Sequence, residues 1–172
     1  MRYVVVGLCV FALACSGQVP TAPTSASSAV SGAAATEARG GSALPFKGAL
    51  QSTEYVVSGD DASAVRHLDG TGNATHLGRF TLSADFTVIM ATGNATGTAT
   101  WTAANGDQIR VSVAGHGDIF VFPTVTIAET HTITGGTGRF AAASGTITIE
   151  RSADIVTGVS SGSLSGTMNL GH

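Results

Sequence analysis

Residues 124–134 read TVTIAETHTIT and show the residue alternation on which the fold prediction rests. From Val125 to Ile133 every second residue is Val, Ile, Glu, His or Ile, while the residues between them are threonines apart from Ala128. Successive side chains of a β-strand point to opposite faces, so the stretch predicts a strand with one mainly aliphatic and one hydroxylated face. Threonine suits the wet face because its β-branched side chain favours an extended backbone.

The same period of two recurs from residue 44 to residue 172, and turn signals such as Asn105-Gly106 separate the runs. Short strands joined by hairpins are typical of an antiparallel meander. We predict an all-β domain, an antiparallel closed barrel of about eight strands that leaves no exposed edge; a two-sheet β-sandwich is the alternative. The predicted strands are roughly 46–57, 64–68, 78–90, 95–103, 108–114, 119–134, 145–150 and 162–170.

Alternation by itself does not say which face points inward. In the predicted strand 95–103, Ala99, Trp101 and Ala103 share one face and the other face is threonine. A membrane-spanning barrel would turn the apolar face outward and carry aromatic girdles. The chain has one tryptophan and 6% aromatic residues. We therefore predict that Trp101 points into the barrel, with the membrane-spanning arrangement as the alternative.

The first 14 residues read as an export signal. Arg2 precedes an apolar run over 3–13, which is too short to cross a hydrocarbon core that needs about 20 helical residues. Residues 11–15, FALAC, resemble the lipobox of bacterial lipoproteins. The resemblance implies that Cys15 is lipidated and anchors the protein to a membrane. Because Ser16, not aspartate, follows Cys15, it further implies an outer-membrane address; a secreted or periplasmic protein is the alternative.

A linker is predicted between the signal and the barrel. Residues 15–43 are mostly Ser, Ala, Thr, Pro and Gly, and such a segment buries too little surface to offset its ordering entropy. We therefore expect a flexible linker over 15–43 and a barrel domain over 44–172. The chain has a formal charge of −3 and a single lysine, Lys47, so the sequence does not predict a basic surface that would bind nucleic acid.

A glycine-rich corner carries a further resemblance. Residues 133–140, ITGGTGRF, followed by ASG at 143–145, predict a hairpin corner between two strands. This segment resembles a pattern in dirigent proteins and allene oxide cyclases. A wider run over about 70–168, including GRFT at 78–81, resembles the bacterial allene-oxide-cyclase-barrel-like proteins. The resemblance implies an eight-stranded antiparallel barrel, and no catalytic residue of these families is carried over onto this sequence.

Glu129 and His131 are the most informative polar pair, because they lie on the aliphatic face of their strand. Buried ionisable groups are costly unless they are paired. One interpretation makes the pair the polar floor of a ligand site, with Glu129 as acceptor or base and with Trp101 and Arg151 as further ligand-binding candidates. In the other, Glu129 is bound to an interior arginine such as Arg151, or lies in water at the barrel end.

The sequence predicts neither a metal nor a cofactor. A metal site needs three or four convergent ligands, and only Glu129 and His131 are placed on one face. No Lys-Ser/Thr pair follows the glycine cluster, as a phosphate loop requires.

Two classes of function remain. The first is an exported, lipid-anchored barrel that binds a small apolar ligand or serves as a structural module of the cell envelope. The alternative is an isomerase or cyclase acting on an apolar substrate inside the barrel, with Glu129 and His131 as candidate catalytic residues.

Overall fold

Alternating apolar and hydroxylated residues build eight strands in residues 42–171, the part of the chain that a computed structural model describes. Each strand pairs antiparallel with the next, and the last pairs with the first, which closes the barrel. The predicted closed barrel is confirmed, and the sandwich alternative is wrong. The strands are β1 (Leu44–Gly59), β2 (Ser63–Ala74), β3 (Gly78–Ile89), β4 (Asn94–Ala103), β5 (Gln108–Gly117), β6 (Thr124–Gly136), β7 (Ser144–Asp154) and β8 (Val159–Asn169).

The apolar faces point into the barrel. Trp101 on β4 has no exposed surface, and its ring lies 4.8 Å from the Phe80 ring and 6.3 Å from the Phe46 ring, centroid to centroid. The threonines of β4 lie on the outer face, where Thr96 and Thr98 are exposed. The predicted inward orientation of Trp101 is confirmed.

Strand β2 is longer than predicted because its glycines make room for the core. The DGTGNA run at 69–74 has the composition of a turn, yet it continues the strand to Ala74. Gly70 and Gly72 occupy inward positions, where a Cβ would come within 2.8 Å of Leu50 Cδ1 and 2.5 Å of Phe80 Cζ respectively. Here glycine leaves space for large neighbours rather than ending the strand.

The other boundary errors have local causes. Strand β6 begins at Thr124 instead of 119, because residues 118–123 form a loop and Pro123 has no N–H to donate to a ladder. Strands β7 and β8 extend beyond their predicted limits at the end where Arg151 and Ser160 point inward. Because these inward-facing residues are polar, the alternation of apolar and polar residues is interrupted there, and the predicted strands ended too early.

The two ends of the barrel differ. We call the end formed by turns 60–62, 90–93, 118–123 and 155–158 the mouth, and the end formed by turns 75–77, 104–107 and 137–143 the closed end. At the closed end the short 3₁₀ helix Gly138–Phe140 and the turn residue Leu77 place two buried side chains, Phe140 and Leu77, over the core. Gly138 has a φ of +54°, and a Cβ there would collide with the carboxylate of Asp107. The predicted glycine corner therefore exists because this turn needs glycine.

The predicted signal (1–14), Cys15 and the linker up to residue 41 lie outside the described residues. Within residues 42–171 there is no helix long and apolar enough to cross a membrane. The same residues contain no group of three or more His, Cys, Asp or Glu side chains placed to hold a metal ion.

Candidate functional site

Inward-facing positions of six strands bring together a group of polar side chains that extends from the mouth half of the barrel toward the closed end. All of them share faces with core residues, so the alternation that builds the barrel places them inside, and all but the partly exposed Arg66 are buried. We call them the interior polar cluster. Its members are Ser52 and Glu54 (β1), Arg66 (β2), Trp101 (β4), Glu129 and His131 (β6), Arg151 (β7) and Ser160 (β8).

Arg151 is the centre of the cluster. Its Nη2 atom donates to Glu129 Oε1 at 2.8 Å, and its Nε atom reaches the same oxygen at 3.2 Å. On the other side, Nη1 lies 2.9 Å from Glu54 Oε2 and 3.2 Å from the Ser160 hydroxyl. Only 3% of Arg151 is exposed, so its charge is compensated by two carboxylates and a hydroxyl instead of by water.

A second arginine balances the charges. Arg66 Nη2 lies 3.1 Å from Glu54 Oε1, so Glu54 bridges Arg66 and Arg151. With Glu129, the cluster contains two guanidinium groups and two carboxylates, whose formal charges cancel. The Arg66 Nε atom is buried and has no hydrogen-bond partner among the described residues. It is therefore a hydrogen-bond donor that the described residues leave unused.

The cluster continues toward the closed end through His131 and Trp101. The indole Nε1–H of Trp101 donates to His131 Nδ1 at 3.3 Å. Since an indole nitrogen only donates, Nδ1 is the acceptor and the ring proton of His131 lies on Nε2. That Nε2 atom is 3.4 Å from Glu129 Oε2, at an angle too poor for a hydrogen bond. The contact orients the imidazole toward the carboxylate.

The pairing fixes the charge state of Glu129. Burial alone would raise the pKa of its carboxyl, but the facing His131 ring and the positive charge of Arg151 outweigh burial and lower the pKa to about 2. Burial likewise acts to lower the pKa of Arg151, whereas the carboxylates of Glu129 and Glu54 raise it above its ordinary value. A carboxylate with so low a pKa is a weak base, so this arrangement favours binding over proton abstraction.

A small cavity lies above the cluster, at the mouth. Its volume is about 50 Å³, room for a few water molecules or for one end of a small molecule, whereas pockets that enclose a whole ligand hold roughly 300–1,000 Å³. Besides the charged groups of the cluster, the lining consists of apolar side chains from strands and turns, together with His116, Gly93 and Gly117. The wall includes Glu54, Arg66, Glu129 and Arg151, together with Phe86, Val88, Ala95, Ile119, Val125, Ile127 and Ile155.

A larger but shallow groove runs along the outer wall. It encloses about 880 Å³ and is lined largely by exposed hydroxyl-bearing side chains such as Thr71, Thr81 and Ser161. Its outer face is open to water, so it offers a ligand little burial. The mouth cavity is the smaller space, but it combines apolar walls with buried charges, and we regard it as the candidate site.

The structure brings together the four residues that the sequence singled out for ligand binding, Trp101, Glu129, His131 and Arg151. Glu129 is paired with Arg151, as one of the two interpretations anticipated, and both line the cavity. Trp101 and His131 are buried beneath it and do not line it. The ligand-binding role of all four stays a prediction.

Sequence reasoning missed Glu54 and Arg66. Glu54 shares the inward face of β1 with Leu50 and Ser52, and Arg66 shares that of β2 with Leu68. A charged residue at an inward position was the available signal. In β1 the serine weakened the apolar pattern, and in the short predicted strand 64–68 only Ala64 and Leu68 marked the inward face.

The fold and the site define a closed eight-stranded antiparallel barrel with a charge-paired interior at one end. Among solved structures it is similar to the pterocarpan synthase dirigent protein GePTS1, with a TM-score of 0.60 and 15% identity over 87% of this chain and 98% of that one. It is also similar to the pterocarpan synthase dirigent protein PsPTS1, with a TM-score of 0.56 and 15% identity over 76% of this chain and 97% of that one. No protein-family model and no curated protein matches the sequence. The likeness shows a dirigent-like barrel fold.

Proposed function

We propose that this barrel is a non-catalytic binding module whose mouth takes up a small, uncharged, mainly apolar molecule. The observation that carries the proposal is the apolar cavity above a fully charge-paired cluster, with the Arg66 Nε donor unused. The aliphatic and aromatic walls of the cavity favour a ligand that is mainly apolar. The unused Arg66 Nε donor favours a ligand that also carries a hydrogen-bond acceptor. Because the cavity is small, one end of the molecule enters it and the rest lies between the mouth turns.

The charges around the site favour an uncharged ligand. The formal charges of the interior cluster cancel, so no net positive charge is left to attract an anion. Four aspartates lie at the mouth and repel anions from it. They are Asp60, Asp61, Asp118 and Asp154.

The matched dyes N-phenyl-1-naphthylamine, which is uncharged, and 1-anilinonaphthalene-8-sulfonate, an anion of similar shape, test this proposal. We expect the full chain to bind the uncharged dye at least about tenfold more tightly. Replacing Ala95, which lines the cavity, by leucine should fill the space and weaken that binding by about tenfold or more, as measured by fluorescence titration.

Ala114→Leu is the control for this substitution. Ala114 is exposed on the outer face of the neighbouring strand β5, so this variant adds the same side chain outside the barrel and should bind the dye like the unmodified chain. Equal dye binding by Ala95→Leu and Ala114→Leu, with both variants folded by circular dichroism, would contradict the proposed site.

The cyclase or isomerase alternative receives no support from the geometry of Glu129. An effective general base has a pKa near the working pH, whereas His131 and Arg151 lower the pKa of Glu129 to about 2, so its carboxylate accepts a proton only weakly. A binding role is also the simpler use of a site whose charges are internally paired.

We further propose that the protein is exported and anchored by a lipid on Cys15. The sequence of residues 1–15 supports this proposal, because an apolar run ends in a lipobox-like FALAC. Cys15→Ser should move the protein from the membrane fraction to the soluble fraction in its native host. Partition of the unmodified protein into the aqueous phase of a detergent extraction would contradict lipid anchoring.

A further inference from the structure

The mouth carries an exposed apolar surface outside the cavity. Every large hydrophobic side chain that is exposed in residues 42–171 lies at this end of the barrel. Phe120 and Phe122 in turn 118–123 are 77% and 73% exposed, and Val156 in turn 155–158 is 68% exposed. Val57 near the end of β1 and Met90 in turn 90–93 are exposed as well. We call these five residues the apolar rim.

The rim is held in place by backbone hydrogen bonds between neighbouring turns. Met90 N–H donates to Ala62 C=O, which ties turn 90–93 to turn 60–62. Ile155 N–H donates to Pro123 C=O, which ties turn 155–158 to turn 118–123. A surface that is already ordered loses little conformational entropy on binding. A clustered, ordered apolar surface of this kind marks an interaction site.

Charge indicates what covers the rim. The mouth carries four aspartates, with Asp60, Asp61 and Asp118 in its turns and Asp154 at the end of β7, and its turns contain no lysine or arginine. The basic residues outside the barrel interior lie toward the closed end, where they are Lys47, Arg79, Arg110 and Arg139. The mouth therefore presents exposed apolar side chains with acidic side chains around them.

This combination selects one class of partner. An anionic lipid surface would be repelled by the aspartates. A second copy fits poorly as well, because two mouths repel each other and the closed end has no exposed large hydrophobic side chain to cover the rim. We propose that the apolar rim docks a basic amphipathic segment of another protein, with the apolar face of the segment on Phe120 and Phe122 and its cationic side chains beside the aspartates.

Two model peptides test the proposal, an 18-residue amphipathic helix of lysine and leucine and its counterpart with glutamate in place of lysine. We expect the full chain to bind the lysine peptide at least about tenfold more tightly than the glutamate peptide, and more weakly as salt is added. The double variant Phe120→Ser/Phe122→Ser should weaken binding of the lysine peptide by about tenfold or more. The double variant Asp61→Asn/Asp118→Asn should also weaken binding of the lysine peptide at low salt, and should weaken it much less at high salt.

The controls separate the rim from the ligand site. Asp61 and Asp118 are chosen because Asp60 and Asp154 accept backbone N–H bonds within their own turns. Ala104→Ser/Ala141→Ser, at exposed positions of the closed end, should bind the lysine peptide like the unmodified chain. Ala95→Leu should also keep peptide binding, so loss of dye binding and loss of peptide binding report on different proposals.

Four outcomes would overturn the proposal. The first is equal affinity for the two peptides, and the second is unchanged peptide binding by a folded Phe120→Ser/Phe122→Ser variant. The third is sedimentation with phosphatidylcholine/phosphatidylglycerol vesicles that this variant loses, which would make the rim a membrane contact. The fourth is a concentration-dependent dimer that the same variant abolishes.

Discussion

Replacing Arg151 by methionine is expected to lower the free energy of unfolding by about 3–5 kcal/mol. Methionine keeps much of the length of the side chain but leaves the buried carboxylates of Glu129 and Glu54 without their shared partner. Denaturant unfolding of the variant and the unmodified chain measures the difference. In the double variant Arg151→Met/Glu129→Gln, the free energy of unfolding should fall by clearly less than the sum of the two single effects. The reason is that the Glu129 carboxylate, which Arg151→Met leaves without its partner, is no longer charged.

The destabilisation caused by Arg151→Met should depend on pH. The pKa of Glu129 is about 2 in the folded chain and 4.5 ordinarily, so its ionised form stabilises the fold fully above about pH 4.5. That stabilisation disappears as the pH falls from about 4.5 to about 2. The difference between Arg151→Met and the unmodified chain should shrink over this window. Strictly additive single changes, or a difference that grows toward pH 2, would contradict the pairing.

Trp101→Ala is expected to destabilise the barrel by about 3–5 kcal/mol. The ring is fully buried between Phe46 and Phe80, and its removal leaves a large cavity and an unpartnered His131 Nδ1. This is a large share of the roughly 5–15 kcal/mol that stabilises a typical domain. The denaturant midpoint measures the effect, and the fluorescence of the unmodified chain should be blue-shifted and resistant to quenchers.

Thr100→Ala, one residue earlier and on the hydroxylated face, is the matched control. It should change the free energy of unfolding by no more than about 0.5 kcal/mol. Equal midpoints for the two variants, together with an emission like that of free indole, would show that Trp101 does not occupy the barrel core.

The sequence predicted the barrel well because its alternation is nearly complete. In β6 the inward residues from Val125 to Ile133 face the core, and in β4 the small neighbours of Trp101 do the same. Glycine misled the prediction where it served packing: Gly70 and Gly72 look like a turn, but they sit beneath Leu50 and Phe80. The two-residue alternation alone cannot distinguish a glycine in a turn from a glycine that makes room for a large neighbour inside a strand.

The site was only half predictable. Glu129 stood out because it interrupts an aliphatic face, and Arg151 followed from its shared face with Ile147 and Ile149. Glu54 joins them because closure of the barrel brings β1 round to β8 and β7, and Arg66 joins because β2 pairs with β1. The pairing of strands across that closure is a property of the whole sheet and is not encoded in any one stretch.

A crystal structure of the full chain with N-phenyl-1-naphthylamine would show whether the mouth cavity is the ligand site. We expect density for one aromatic end of the dye in the mouth cavity, against Val125 and Ile127 and beside Arg66. The Glu129–Arg151 pair should stay in place beneath it. Dye bound in the outer groove near Thr71 and Thr81, with the mouth cavity empty, would contradict the account.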